Sequence, residues 1–309
     1  MFAKSGYRIA MSLGVPLASL VLRRPELRRA HLGRLEAVAR LEQWAARQRD
    51  PGRPLAWFHA ASVGESLQAR AVIAELRRIR PDCQVVATRF SASAERIAES
   101  MGADFTGYLP YDRVGDVRRA LAALQPDLLV FSKLDVWPEL ASQASESGVG
   151  VALVAGSVDP GSARLGSMSR HFTRRGYEAI DLAAVISEQD GDRLVRLGTP
   201  AERILVAGDP RVNSVLESVE QLRPRWPADP DPSLMVAGST WPADEAHLLA
   251  ALRIIRDSGT DARLLVVPHE PVADRIAGIV ASAAGFGMKC TRWQRDGGSG
   301  EAVQYVDQV

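Results

Sequence analysis

Short apolar runs alternate with segments of helical periodicity along most of the chain, and no other feature constrains the fold as strongly. Because parallel strands are joined through helices, this alternation predicts an α/β protein built on a doubly wound parallel sheet. In the first part of the chain we expect strands at residues 55–58, 84–88, 128–131, 151–154, 183–186 and 204–206, and helices at residues 67–79, 116–124, 168–177 and 188–197.

The chain has 309 residues, which is enough for two domains of ordinary size. Residues 221–232 contain four prolines and little that could pack, which indicates a linker between a domain at 51–220 and another at 233–309. In the second domain we expect strands at residues 234–237, 263–267 and 303–309, and helices at residues 245–255 and 272–284. About three strand and helix pairs are too few to cover both faces of a parallel sheet, so this domain is expected to be truncated or short.

Residues 1–50 form a separate helical segment in this prediction. Residues 9–22 are apolar for fourteen positions, too short to cross a bilayer as a helix, and Pro16 interrupts them. Eight arginines against three glutamates follow in residues 23–49. This pattern favours a helix that lies in the interface of an anionic membrane. A helix packed against the first domain, with a solvated basic face, fits the pattern equally well.

Composition excludes several classes of protein. A net charge of +1 gives no overall attraction to nucleic acid, and the apolar share of 46% is that of a folded protein. Cys83 and Cys290 are far apart, so we expect neither a disulfide framework nor a zinc site, and a reducing cytoplasmic setting fits. None of the five histidines stands four residues from another, which argues against a histidine-rich metal site.

The segment Pro54–Gln68, with the sequence PLAWFHAASVGESLQ, is the first candidate for function. It reads as a buried strand, a turn of small residues and the start of a helix, and ligands of such sheets bind at the carboxyl ends of strands. Ser62 and Glu65 have the spacing of a capping box, which is the commoner role for such a pair. Glu65, beside His59, could instead accept a proton from a substrate hydroxyl.

The loops after the other strands carry further polar side chains. Glu65, Lys133, Asp135 and Ser157 would line a crevice suited to a polyhydroxylated acceptor with anionic groups. Lys133 and Asp135 could instead form a salt bridge with each other, and Trp137 is expected to serve in packing.

In the second domain, the loop of Gly238, Ser239 and Thr240 precedes a helix and could bind an anion. His269 and Glu270 follow the next strand and could reach the same crevice.

Five segments together resemble the transferases of 3-deoxy-D-manno-octulosonic acid (Kdo). They are WFHAASVGE at 57–65, YLPYD at 108–112, DVWP at 135–138, AGD-R at 207–211 and AGSTWPADE at 237–245. The resemblance implies a GT-B glycosyltransferase of two Rossmann-like domains that moves Kdo from CMP-Kdo to a lipid A precursor at the cytoplasmic face of the inner membrane. It also implies a membrane-associated amino-terminal helix, with neither metal nor cofactor.

The same resemblance assigns roles to residues of this chain. Glu65 would be the catalytic base. Acceptor contacts are expected from His59, Ser62, Gly64, Lys133, Asp135 and Ser157. Donor contacts are expected from Gly238, Ser239, Thr240, Glu245, His269 and Glu270.

The chain also departs from the family pattern. Lys133 stands where many members have glutamate, His269 replaces an arginine, and the later donor-binding loop would follow residue 309. Two alternatives therefore accompany the main prediction. One is a GT-B transferase that uses another nucleotide sugar, and the other is a non-catalytic, truncated protein that binds a glycolipid.

Overall fold

The computed structural model describes residues 6–12, 14–15, 24–222, 231–294 and 301–307. The chain divides into two compact units, Met1–Arg223 and Pro224–Val309. Most of the predicted linker at residues 221–232 lies outside the described residues, although residues 221–222 end a helix. Residues 16–22 of the predicted apolar segment also lie outside them, while residues 6–12 and 14–15 are helical.

The first unit contains a seven-stranded parallel sheet in the order β3-β2-β1-β4-β5-β6-β7. Its strands are β1 Leu55–His59, β2 Gln84–Arg89, β3 Phe105–Tyr108, β4 Leu128–Ser132, β5 Gly150–Gly156, β6 Leu182–Val185 and β7 Ile204–Val206. The α/β class and the parallel sheet predicted from the sequence are confirmed.

In the described part of the first unit, eight α-helices flank these strands or precede them, besides the helical residues 6–12 and 14–15. They are α1 Pro25–Gln48, α2 Val63–Ile79, α3 Glu95–Glu99, α4 Val114–Leu124, α5 Pro138–Glu146, α6 Ser167–Glu178, α7 Glu188–Leu197 and α8 Pro210–Leu222. The predicted helix at 67–79 begins earlier, because Ser62 caps it. The helix α5 is absent from the prediction, although Pro138 at its first turn is a typical start signal.

Both faces of the central strands are buried, as expected for a parallel sheet between helical layers. Trp57 and Phe131 belong to the core cluster on one face, and Phe58 and Val130 to the cluster on the other. Every residue of β1 is buried. Each large apolar side chain removed from water contributes about 1.5–3 kcal/mol, so this double core holds the strand ends in place.

The arginine-rich helix α1 packs against α4 and β3. Ala37, Leu41 and Trp44 are buried on its inner face, whereas Arg28 and Arg29 are exposed. Residues 25–48 therefore pack on the sheet of the first unit, Met1–Arg223. None of the described helices combines the length and the apolar composition needed to cross a bilayer.

The second unit contains a four-stranded parallel sheet in the order β10-β11-β9-β8. Its elements are β8 Leu234–Thr240, α9 Pro242–Asp257, β9 Arg263–Pro268, α10 Ala273–Gly285, β10 Cys290–Arg292 and β11 Val303–Tyr305. The strand β10 was not predicted, because three residues are too few to show the alternation of apolar and polar side chains that marks a strand. The predicted strand at 303–309 ends at Tyr305, and residues 308–309 lie outside the described residues.

The packing of α1 leads to a prediction at Gly33. A Cβ built at Gly33 would overlap the ring of Tyr108 on β3. We expect Gly33→Ala to lower the free energy of unfolding by about 1–3 kcal/mol in chemical denaturation, because the overlap forces the helix outward.

Gly115→Ala is the matched control, since that helical glycine has open space around its Cβ position. This control should leave the stability unchanged or raise it by about 0.5–1 kcal/mol. Equal effects of the two substitutions would contradict the packing described for α1.

Candidate functional site

The strand order reverses between β1 and β4, which are neighbours in the sheet although β2 and β3 lie between them in the chain. In open parallel sheets, ligands bind at such a reversal, outside the carboxyl ends of the strands. Residues 60–62 leave β1 here and residues 133–137 leave β4. The predicted acceptor residues of the first unit lie in or next to these two segments, with the exception of Ser157.

Glu65 lies in the first turn of α2 and takes part in capping that helix. The Ser62 hydroxyl accepts a hydrogen bond from the Glu65 N–H at 3.4 Å, and Glu65 Oε2 accepts one from the Ala61 N–H at 2.6 Å. The cap expected from the sequence is therefore confirmed, except that the carboxylate reaches Ala61 rather than the N–H of Ser62. The second carboxylate oxygen forms no ion pair with any described residue.

The environment of Glu65 makes its carboxyl group more basic than an ordinary glutamate. Burial raises the pKa of Glu65, and the negative charge of Asp135 raises it further, against the lowering effects of the Ala61 N–H, His59 and Lys133. The pKa of Glu65 is higher in the folded protein than in the unfolded chain. Ionising Glu65 therefore lowers the free energy of unfolding, and this loss develops as the pH rises from the unfolded-state pKa through the folded-state pKa. The fold thus disfavours the ionised form of Glu65 more than water does.

His59 at the end of β1 is fully buried and bonded at both ring nitrogens. Its Nδ1 lies 3.1 Å from the carbonyl oxygen of Thr88, and its Nε2 lies 3.2 Å from Asp135 Oδ2. The Thr88 carbonyl can only accept, so Nδ1 donates to it, while Nε2 faces both Asp135 Oδ2 and the indole N–H of Trp137. The bond from His59 to Asp135 therefore joins the ends of β1 and β4.

Asp135 is held by Arg164 and His59 and not by Lys133. Arg164 Nη2 donates to Asp135 Oδ1 at 2.8 Å, while His59 contacts the other carboxylate oxygen. Burial acts to raise the pKa of Asp135, but His59 and Arg164 outweigh it and hold that pKa well below the usual range. The predicted salt bridge between Lys133 and Asp135 is wrong, because these partners occupy both oxygens of the carboxylate.

Lys133 is exposed and its backbone is held in the left-handed region, with φ of 63°. A residue with a Cβ adopts this conformation at a cost, which is typical of functional sites. Its N–H donates to Val154 O at 2.8 Å, and its ammonium group forms no ion pair within the described part of the chain. Nearby Gly64 has open space where a Cβ would be, so packing does not require glycine there.

Ser157 follows β5, the strand next to β4, and is half-buried. Within the described residues its hydroxyl makes no hydrogen bond to the group around Glu65. The structure therefore places Ser157 one strand away and does not join it to the other predicted acceptor residues.

The predicted donor residues of the second unit form two pairs. Ser239 Oγ lies 2.8 Å from His269 Nδ1, and both residues are exposed. Thr240 donates to Glu245 Oε1 at 2.6 Å, and both side chains are buried.

Glu245 also pairs with Arg275, so its carboxylate links Thr240 to α10. Gly238 is exposed in β8, Glu270 is exposed after β9, and the Trp241 ring stacks on His269 with centroids 4.8 Å apart.

Several residues of the first site could not be recognised in the sequence. Arg164 is distant in the chain from the aspartate it holds, and no spacing links the two. Trp137 packs as expected, but its indole N–H also donates to Asp135 Oδ2 at 3.0 Å. Among the described residues, no group of three or more histidine, cysteine, aspartate or glutamate side chains is arranged to hold a metal ion.

Solved structures of low sequence identity share the fold. The UDP-GlcNAc 2-epimerase of Neisseria meningitidis superposes with a TM-score of 0.57 at 12% identity, covering 83% of this chain and 72% of that one. A second UDP-N-acetylglucosamine 2-epimerase gives a TM-score of 0.53 at 13% identity, covering 83% of this chain and 69% of its own. With the parallel sheets of both units, these likenesses confirm the predicted GT-B type fold of Rossmann-like units.

Curated relatives are 3-deoxy-D-manno-octulosonic acid transferases. That of Chlamydophila psittaci is 28% identical over 211 residues, covering 66% of this chain and 48% of the relative. The transferase of Haemophilus influenzae is 26% identical over 223 residues, covering 70% of this chain and 52% of the relative. The transferase of Bordetella pertussis is 26% identical over 312 aligned residues, covering 97% of this chain and 71% of the relative. The chain thus spans about half the length of the first two of these relatives.

The sequence pattern of one protein family matches residues 33–214, which is more than half of the chain. The matched region runs from α1 to α8 and includes Glu65, His59, Lys133 and Asp135. The chain belongs to the family of 3-deoxy-D-manno-octulosonic-acid transferases (Kdo transferases).

Proposed function

We propose that this chain is an inverting glycosyltransferase of lipopolysaccharide biosynthesis, which moves Kdo from CMP-Kdo to a lipid A precursor with Glu65 as the general base. The observation that carries the proposal is the position of Glu65 at the strand-order reversal, with a raised pKa and no cation among the described residues bonded to it. A general base needs a pKa near the working pH, and burial moves this carboxyl group in that direction.

The reaction follows from what each group can do. The acceptor hydroxyl attacks the anomeric carbon of Kdo while its proton passes to the Glu65 carboxylate. The bond from the anomeric carbon to the phosphate oxygen breaks, and CMP leaves with the bonding electrons. Backbone N–H groups at helix amino ends, such as the one after the loop of Gly238, Ser239 and Thr240, would stabilise the phosphate charge.

Lys133 and Gly64 are proposed to contact the acceptor. The ammonium group of Lys133 is exposed and free of ion pairs in the described residues, so it can neutralise a phosphate or carboxylate of the acceptor. The open space above Gly64 would let the acceptor approach the amino end of α2. His59, Ser62 and Asp135 would hold the geometry around Glu65.

A location at the cytoplasmic face of the inner membrane is part of the proposal. The amino-terminal turns of α1 expose Leu27 together with Arg28 and Arg29, which would favour an anionic membrane surface.

A transferase with a different nucleotide sugar is the second candidate, and the observation that favours it is Lys133 in place of the glutamate common in the family. Offering the protein CMP-Kdo, UDP-sugars and GDP-sugars with a lipid A precursor separates the two. Transfer from CMP-Kdo alone supports the first proposal, whereas transfer only from a UDP- or GDP-sugar overturns it. Binding of the lipid A precursor without transfer from any donor would indicate a non-catalytic glycolipid-binding protein.

Replacing Glu65 by glutamine separates catalysis from capping. The amide oxygen can still accept the Ala61 N–H bond, but the side chain can no longer take a proton. We expect Glu65→Gln to lower kcat by about 10² to 10⁴ with a Tm equal to that of the wild type or higher, measured by Kdo transfer and calorimetry.

The control for this prediction is Glu75→Gln. Glu75 is an exposed residue of the same helix, paired with Arg78, and its loss should leave the rate unchanged. A Glu65→Gln protein that keeps the wild-type kcat would show that Glu65 is only a cap.

Replacing Lys133 by asparagine tests its contact with the acceptor. Asparagine tolerates the left-handed backbone but carries no charge, so the fold should be as stable or more stable. We expect Lys133→Asn to raise the KM for the acceptor about 10- to 100-fold, which is the value of a lost charge-assisted hydrogen bond. An unchanged acceptor KM would remove Lys133 from the binding site.

A further inference from the structure

Arg34 is a buried cation in the middle of α1. The residue is 4% exposed, and its Nε and Nη2 atoms donate to the carbonyl oxygens of Leu109 and Pro110 at 3.2 and 3.4 Å. Those carbonyls belong to the segment that follows β3. No carboxylate forms an ion pair with Arg34 within the described part of the chain, so its place in the core needs another explanation.

Three aromatic rings surround the guanidinium group. Its central carbon lies 4.2 Å from the ring centroid of Phe90, 4.1 Å from that of Tyr111 and 4.8 Å from that of Trp137. Phe90 and Trp137 also stack on each other, with centroids 5.7 Å apart. These rings come from the segments that follow β2, β3 and β4, so one side chain contacts three loops at the same edge of the sheet.

Trp137 connects this cluster to the group around Glu65. Its indole N–H lies 3.0 Å from Asp135 Oδ2 and 3.2 Å from His59 Nε2. The indole ring contacts both Arg34 and Phe90, and any change in its plane would change the direction of that N–H. His59 and Asp135 are in turn two of the charges that act on the Glu65 carboxylate.

Arg34 keeps its charge at neutral pH despite its burial. Burial lowers the pKa of Arg34 to about 10, against the raising effects of Tyr111, Asp135, Asp112 and Tyr7. A cation with a flat face is suited to stack on rings, whereas the compact ammonium of lysine is not.

We propose that Arg34 is a positioning residue: its planar guanidinium fixes the indole of Trp137, which in turn holds His59 and Asp135 in the arrangement that tunes Glu65. The catalytic part of this inference rests on the proposed function, but the effect of Arg34 on the indole does not.

The kinetic test compares Arg34→Lys and Arg34→Met with the wild type. In both variants we expect kcat to fall by on the order of tenfold with an acceptor KM within about twofold, because the planar face is lost in each. Arg40→Met is the control, an exposed arginine of the same helix that pairs with Glu36, and it should keep the wild-type rate. A wild-type kcat in Arg34→Lys would overturn the proposal, because a positive charge without a planar face would then be enough to position the indole.

The route through the indole is tested with Trp137→Phe, which keeps an aromatic ring against Arg34 but removes the N–H. If Arg34 acts through that N–H, the double variant Arg34→Met/Trp137→Phe should have the kcat of Trp137→Phe within about twofold. Independent, multiplicative losses in the double variant would overturn the proposal.

A readout that needs no turnover separates this proposal from the proposed function. The Trp137 indole N–H resonance in a ¹⁵N NMR spectrum is assigned by its disappearance in Trp137→Phe. In Arg34→Met its exchange with solvent should become faster by on the order of tenfold, while in Arg40→Met it should not change. If the indole N–H exchanges faster in Arg34→Met but the wild-type protein transfers no Kdo, the proposed function alone is refuted. If the exchange rate in Arg34→Met equals that of the wild type, the role of Arg34 is refuted.

Discussion

The hydrogen bond between His59 and Asp135 ties together the two strands at which the sheet changes direction. It spans β1 and β4 at 3.2 Å, and the buried cores on both faces keep those strand ends in fixed positions. Arg164 donates to the other carboxylate oxygen, and Trp137 donates to the same oxygen that His59 contacts. Because this network is partly buried and its members are hydrogen-bonded to one another, it can fix the electric field at the start of α2 without rearrangement during a reaction.

Glu65 shows how one side chain can serve both the fold and the chemistry. Its bond to the Ala61 N–H holds the turn before α2, and a catalytic base would need that turn to be rigid. The same position buries the carboxyl group and raises its pKa, which costs stability when it is ionised. Lys133 adds a second local cost through its left-handed backbone, so both residues carry strain at the site where function is proposed.

Sequence patterns predicted the features that depend on neighbours in the chain. Strand and helix alternation gave the α/β class, and the S-x-x-E spacing gave the cap at Glu65. Features that depend on three-dimensional proximity were missed, such as the contact of Arg164 with Asp135 and the placement of Arg34 among aromatic rings. The strand β10 was missed for a different reason, since three residues are too few to show a period.

The pKa of Glu65 in the folded protein is the quantity on which the account depends most directly. It can be measured by following the ¹³C resonance of the Glu65 side-chain carboxyl carbon through a pH titration, with the signal assigned by its loss in Glu65→Gln. The account predicts a midpoint above that of an ordinary glutamate, because burial and Asp135 outweigh the Ala61 N–H, His59 and Lys133. A midpoint at or below the ordinary value would contradict it.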